Sequence, residues 1–66
     1  MKLQVNGSAH ESSAPLTVCG LLDELDFGRK PVVVEVNRRA LFPREHVETA
    51  LNEGDVVEIV QITAGG

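Results

Sequence analysis

Asp55-Val56-Val57-Glu58-Ile59-Val60-Gln61-Ile62-Thr63, followed by Ala64-Gly65-Gly66, is the stretch whose reading decides the fold. The β-branched run from Val56 to Thr63 predicts a strand, and the turn residues Asn52-Glu53-Gly54-Asp55 bound it on the near side. With Val57 and Ile59 directed to a core, Val56, Glu58, Val60 and Ile62 share the opposite face. The strand then gives way to Gly65-Gly66, the dipeptide that loses most freedom on ordering and has no side chain to bury. Residues 1–62 are therefore read as one folded domain and residues 63–66 as a tail.

Working back from that strand, the segment Pro31-Val32-Val33-Val34-Glu35-Val36 predicts a second strand of the same kind. Val32, Val34 and Val36 should point inward, and Val33 and Glu35 outward. Asn37-Arg38 turns the chain into a short strand, Arg39-Ala40-Leu41, which Phe42-Pro43 interrupts. Pro43-Arg44-Glu45-His46 suits one helical turn, since proline is tolerated at the first helical position. Val47 and Leu51 are its expected apolar anchors.

At the other end of the chain, Met1, Leu3 and Val5 alternate with Lys2, Gln4 and Asn6, the pattern of a strand buried on one side. Asn6-Gly7 predicts a type I′ hairpin turn, which needs positive φ at both central residues. The return segment, residues 8–14, is short and polar, as an edge strand is. Between the two strand pairs, Val18, Leu21, Leu22 and Leu25 form one apolar stripe at helical spacing, with Thr17 as N-cap and Gly28 as the left-handed terminator. Asp23, Glu24 and Asp26 should face water. The order of elements gives an α+β fold, a mixed sheet of four to five strands with one main helix across one face and a short 3-10 or helical connector. The first and last strands, with no tight turn possible between them, can lie side by side in parallel.

Composition narrows the function. Sixty-six residues make one domain that buries only about 60% of its unfolded surface, too little for a deep catalytic cleft. Six Lys+Arg against ten Asp+Glu give a net charge of −4, and two phenylalanines are the only aromatics, so nucleic acid is an unsuitable partner. Cys19 has no second cysteine to pair with, Met1–Val5 lacks the apolar core of a secretion signal, and no apolar run approaches a membrane span. A cytoplasmic carrier, binder or subunit is the expectation, not an enzyme. Cys19 reads as a plain helix-flank residue, because no cation that would stabilise a thiolate is near it in sequence. His10 and His46 have no metal-ligand spacing with it or with each other.

The tail then acquires a use. Residues 63–66, extended at roughly 3.3 Å each, reach about 13 Å beyond the domain. Lacking Cβ atoms, Gly65 and Gly66 could thread a narrow slot in a partner, leaving the Gly66 carboxylate as the reactive group. By itself such an end reads as fraying. Val60 and Ile62, nearest the tail, with Glu58 beside them, are the candidate docking residues of an apolar patch on the uncovered sheet face. The alternative is a central strand buried on both faces.

Val5-Asn6-Gly7, Thr17-Val18 with Leu21-Leu22, Val34-Glu35-Val36-Asn37, Pro43-Arg44, Gly54-Asp55 and Gly65-Gly66 occur in this order across essentially the whole chain. Together they resemble the β-grasp (ubiquitin-like) sulfur carriers, and within them the small carriers of thiazole formation in thiamine biosynthesis. The resemblance implies that an E1-like adenylyltransferase uses ATP to activate the Gly66 carboxylate, with Ala64 and Gly65 as the arm. A persulfide sulfur donor then displaces AMP to leave a thiocarboxylate, and thiazole synthase consumes the sulfur. It implies no stably bound cofactor, no metal, no nucleic acid and no membrane. Many relatives carry a glycine or small polar residue where this chain has Arg38-Arg39. Two other readings stay open: a carrier of the molybdopterin synthase small-subunit type, and a ubiquitin-like modifier or interaction module.

Overall fold

A strand is held in place by what lies on either side of it, and Val56–Gln61 (β5) is paired on both. In the computed structural model, which describes residues 1–28 and 30–63, it runs parallel to Lys2–Val5 (β1) and antiparallel to Val32–Val36 (β3). Two hairpins supply the remaining strands. Ser8–Glu11 (β2) returns antiparallel on β1 and Arg39–Leu41 (β4) returns on β3, giving the order β2-β1-β5-β3-β4. The last strand in sequence is therefore the middle strand in space. This is the mixed α+β arrangement that the sequence predicted.

Alternation along the strands puts one face of the sheet in the core. Leu3, Val34, Leu41, Val57 and Ile59 are all buried, with Val34 and Val57 fully so. The helix Val18–Glu24 (α1) covers this face through Val18, Leu21 and Leu22. The Thr17 hydroxyl accepts from the Gly20 N–H at 3.1 Å, satisfying one of the donors that a helix start leaves free.

The end of α1 differs from expectation. Gly28 is left-handed as expected, at φ 52°, but Asp26, at φ 64°, is the left-handed residue that closes the helix. The Phe27 N–H donates to the Leu22 carbonyl (2.9 Å) and the Asp26 N–H to that of Asp23 (3.2 Å), the paired bonds of a Schellman closure. Aspartate tolerates this conformation better than most side chains, so the helix stops two residues before the glycine. Leu25 becomes the C-cap and is half-buried, and Asp23, Glu24 and Asp26 do face water. The first return strand is likewise shorter than residues 8–14, ending at Glu11.

The connector needs a second correction. Pro43–Glu45 (η1) is one turn of 3-10 helix, and Leu51 is buried as expected. Val47, however, is 67% exposed, and His46 is buried in its place. An anchor pair four residues apart presumes an α-helix that continues through both. The 3-10 turn ends after one cycle and the chain leaves through Glu48 and Thr49, whose N–H groups both bond back to the Glu45 carbonyl. The side chains are thereby rephased.

Candidate functional site

With one helix on one face, the other face of the sheet is bare. Val56, Glu58 and Val60 of β5 all project onto it, while Val57 and Ile59 point to the core. Register brings Val33 opposite Val60 and Glu35 opposite Glu58. Val60 is 61% exposed and Val33 41%, so an apolar row crosses two strands beside a row of two carboxylates. Like charges directly opposite each other weaken a sheet. Among the described residues, neither Glu35 nor Glu58 has a cation within ion-pairing distance. The expected docking residues Val60 and Glu58 are thus brought together, and Val33 and Glu35 join them. The period-2 pattern gives the face of Val33, but only the register gives its neighbour.

Ile62 extends this row toward the end of the chain. Its N–H donates to the Pro31 carbonyl at 2.9 Å, just past the last residue of β5. It borders a hollow of about 350 Å³ that is also lined by Leu22, Pro31, Val32, Pro43 and His46. Half of its surface stays exposed. The bond to the Pro31 carbonyl keeps the β3–β5 register, with Pro31 opposite Ile62 as Val33 is opposite Val60, so the ladder that carries Val60 runs on to Ile62. His46 is 9% exposed, and its Nε2 has no hydrogen-bond partner among the described residues. Nothing in the sequence marks that nitrogen, since its burial follows from the rephased connector.

Two asparagines fix the strand that leads to the tail. Asn6 Oδ1 accepts from the Ile59 N–H (2.7 Å), and its Nδ2 donates to the Ile59 carbonyl (3.2 Å). The side-chain amide thereby takes the place of a peptide unit where β1 ends. On the other side, Asn37 Oδ1 accepts from the Val56 N–H (3.0 Å) and its Nδ2 donates to Asp55 Oδ1 (3.0 Å). β5 is thus held from both neighbours, by Asn37 at its start and by Asn6 at its middle. Ala64, Gly65 and Gly66, on which the sequence reading placed the chemistry, lie outside the described residues.

Other reactive side chains stand apart. Cys19 is half-buried on α1, and its backbone N–H donates to the His46 carbonyl at 2.8 Å. His10 belongs to a surface cluster in which Ser12 Oγ donates to Glu24 Oε2 (2.6 Å) and His10 Nε2 lies 3.2 Å from Oε1. The Ser12 hydroxyl first, and His10 second, hold the Glu24 carboxyl below the usual glutamate range. The serine bonds to the carboxylate and not to the imidazole, and a carboxyl held below its usual range is a poor base for activating a hydroxyl. No group of three or more His, Cys, Asp or Glu suited to a metal occurs among the described residues. None of the described helices is long and apolar enough to cross a membrane.

Comparison with known proteins places this geometry. The ThiS family matches residues 3–66. A crystal structure of the thiamine biosynthesis protein ThiS from Geobacter metallireducens superposes with a TM-score of 0.84 at 32% identity, each chain covered completely. Among curated proteins, the uncharacterized protein ycf40 of Porphyra purpurea is 36% identical over all 66 residues, which cover 93% of its length. A thiazole synthase of Paramagnetospirillum magneticum is 39% identical over the same 66 residues, which span only 20% of that protein. The shared sheet order, the helix and the match that runs through Gly65-Gly66 lead to one conclusion: the chain belongs to the ThiS family.

Proposed function

We propose that this protein is a sulfur carrier of thiamine biosynthesis, a substrate for partner enzymes and not an enzyme itself. The observation that supports this most is the family match extending through Gly66. The fold adds a central strand, clamped on both sides, that leads to that end. In this reading an E1-like adenylyltransferase binds ATP, and the Gly66 carboxylate attacks its α-phosphorus with loss of pyrophosphate. The resulting acyl-adenylate has a good leaving group where the carboxylate had none. A persulfide sulfur attacks the acyl carbon and AMP departs. Cleavage of the S–S bond by a thiol then leaves the thiocarboxylate, the sulfur source that thiazole synthase draws on. Carrier, partners and ATP meet in the cytoplasm.

Docking in this scheme falls to the bare face. Val60 and Val33 supply the apolar contact, and the facing carboxylates of Glu58 and Glu35 receive a cationic side chain of the partner, relieving their mutual repulsion. Ile62 and the arm of Ala64 and Gly65 then direct Gly66 into the partner's active site. The reading is tested by mixing the protein with the adenylating enzyme of its host, ATP and labelled pyrophosphate. Exchange of label into ATP is expected, and it should vanish when Gly66 is deleted. With a persulfide donor added, intact mass should show one oxygen replaced by sulfur. Exchange that survives the deletion would exclude Gly66 as the activated group.

A further inference from the structure

The positive charges of this acidic chain are unevenly placed. Arg38, Arg39 and Arg44, three of the six Lys+Arg, bracket the edge strand β4 in a chain of net charge −4. Arg38 sits at φ 70°, a conformation that costs a side chain with a Cβ and costs glycine nothing. It is exposed and enters no ion pair among the described residues, so the fold gains nothing visible from having arginine there. Strain kept at an exposed position points to a use for the side chain. Arg44 lies with its guanidinium 4.8 Å from the centre of the Phe42 ring, and Phe42 is 61% exposed. Arg39, also exposed, reaches Glu45 at 3.5 Å. The nearby carboxylates are already committed within the fold: Glu45 accepts from the Phe42 N–H, and Asp55 from Asn37 and the Asn52 N–H.

We propose that the β4 edge and the turn after it dock an acidic, extended segment of a partner protein. Its carboxylates meet Arg38, Arg39 and Arg44, and one apolar side chain lies against Phe42. The surface is distinct from the Val60 and Glu58 face and does not depend on chemistry at Gly66. A protein segment fits better than nucleic acid, because the remainder of the chain is acidic and Phe42 stands alone as an exposed aromatic.

The test titrates the isotopically labelled full chain with a synthetic peptide of alternating glutamate and leucine at low salt. Chemical-shift changes should be confined to residues 38–44 and should fade as salt is raised. Arg38→Gly should leave Tm unchanged or higher while weakening the peptide, and Arg38→Gly/Arg39→Ser/Arg44→Ser should weaken it roughly tenfold or more. If the triple variant does not fold, the single variant still decides the matter. Shifts centred on Val33 and Val60, an undiminished affinity in the variants, tighter binding of oligothymidylate than of the peptide, or a fall in Tm for Arg38→Gly would each overturn the proposal.

Discussion

At the β1–β2 turn the two left-handed positions hold Asn6 (φ 49°) and Gly7 (φ 81°). At the β3–β4 turn they hold Asn37 (φ 51°) and Arg38 (φ 70°). Both hairpins flank β5, and in both the asparagine side chain crosses to it. Each hairpin is also tied to a helical element, the first through His10 and Ser12 to Glu24 of α1 and the second through Arg39 to Glu45 of η1. The differences are as instructive. Asn6 spends both of its polar atoms on the partly buried backbone of Ile59, whereas Asn37 works at the exposed edge and shares its bonds between Val56 and an aspartate. The first turn uses the residue that fits its backbone, and the second uses one that does not. The same turn can therefore act as a structural lock in one place and as a platform for a side chain in another.

Removing the clamps gives the largest effects. Asn6→Ala strands a backbone donor and an acceptor of Ile59 in a partly buried setting and should cost about 3 kcal/mol by chemical denaturation. Asn37→Ala leaves groups that water can reach, so about 1.5 kcal/mol is expected. Equal losses would erase the distinction between lock and platform. Exchanging the second turn residues probes the other half of the comparison. A Cβ at Gly7 would meet no atom within 4 Å, so Gly7→Arg should cost only its backbone conformation, about 1 kcal/mol. Arg38→Gly should gain about 0.5 kcal/mol, the relief of strain partly offset by a looser unfolded chain. A loss on Arg38→Gly would mean that the arginine serves the fold.

The smallest effect is in acid. The Glu24 carboxyl is held below its ordinary range by Ser12 and then by His10. A depressed folded value means that its contribution is complete above the unfolded value, about pH 4, and disappears as pH falls through the lower folded one. Glu24→Gln should therefore flatten the acid end of a stability-against-pH curve and leave the neutral region almost unchanged. The carboxylate lies at the surface, so solvent screening keeps the change slight.

What could be read from the chain followed the strength of local rules. Asn6-Gly7 specifies its turn almost alone, and the stripe of Val18, Leu21 and Leu22 specifies a helix face. The alternation in β5 put Val57 and Ile59 inside and Glu58 and Val60 outside, because the charge of Glu58 marks one of the two faces as the outward one. Where a regular period ends, reading fails. Val47 lies just past a single 3-10 turn, where the four-residue spacing to Leu51 no longer places it against the core. Gly28 is the commoner kind of helix terminator and does turn left-handed, but Asp26 follows directly on Leu25, the end of the core-facing stripe, and closes the helix first. The opposition of Glu35 to Glu58 depends on register, which no single segment encodes.

The central place of β5 also governs how a nascent chain matures. Until residues 56–61 leave the ribosome, the two hairpins share no edge, and Val57 and Ile59 are missing from between them. A polypeptide cut short before that point cannot close its sheet, and it is exposed to proteolysis as an unfolded fragment. Folding thereby works as a completeness check: a molecule that survives proteolysis has already been translated through its middle strand.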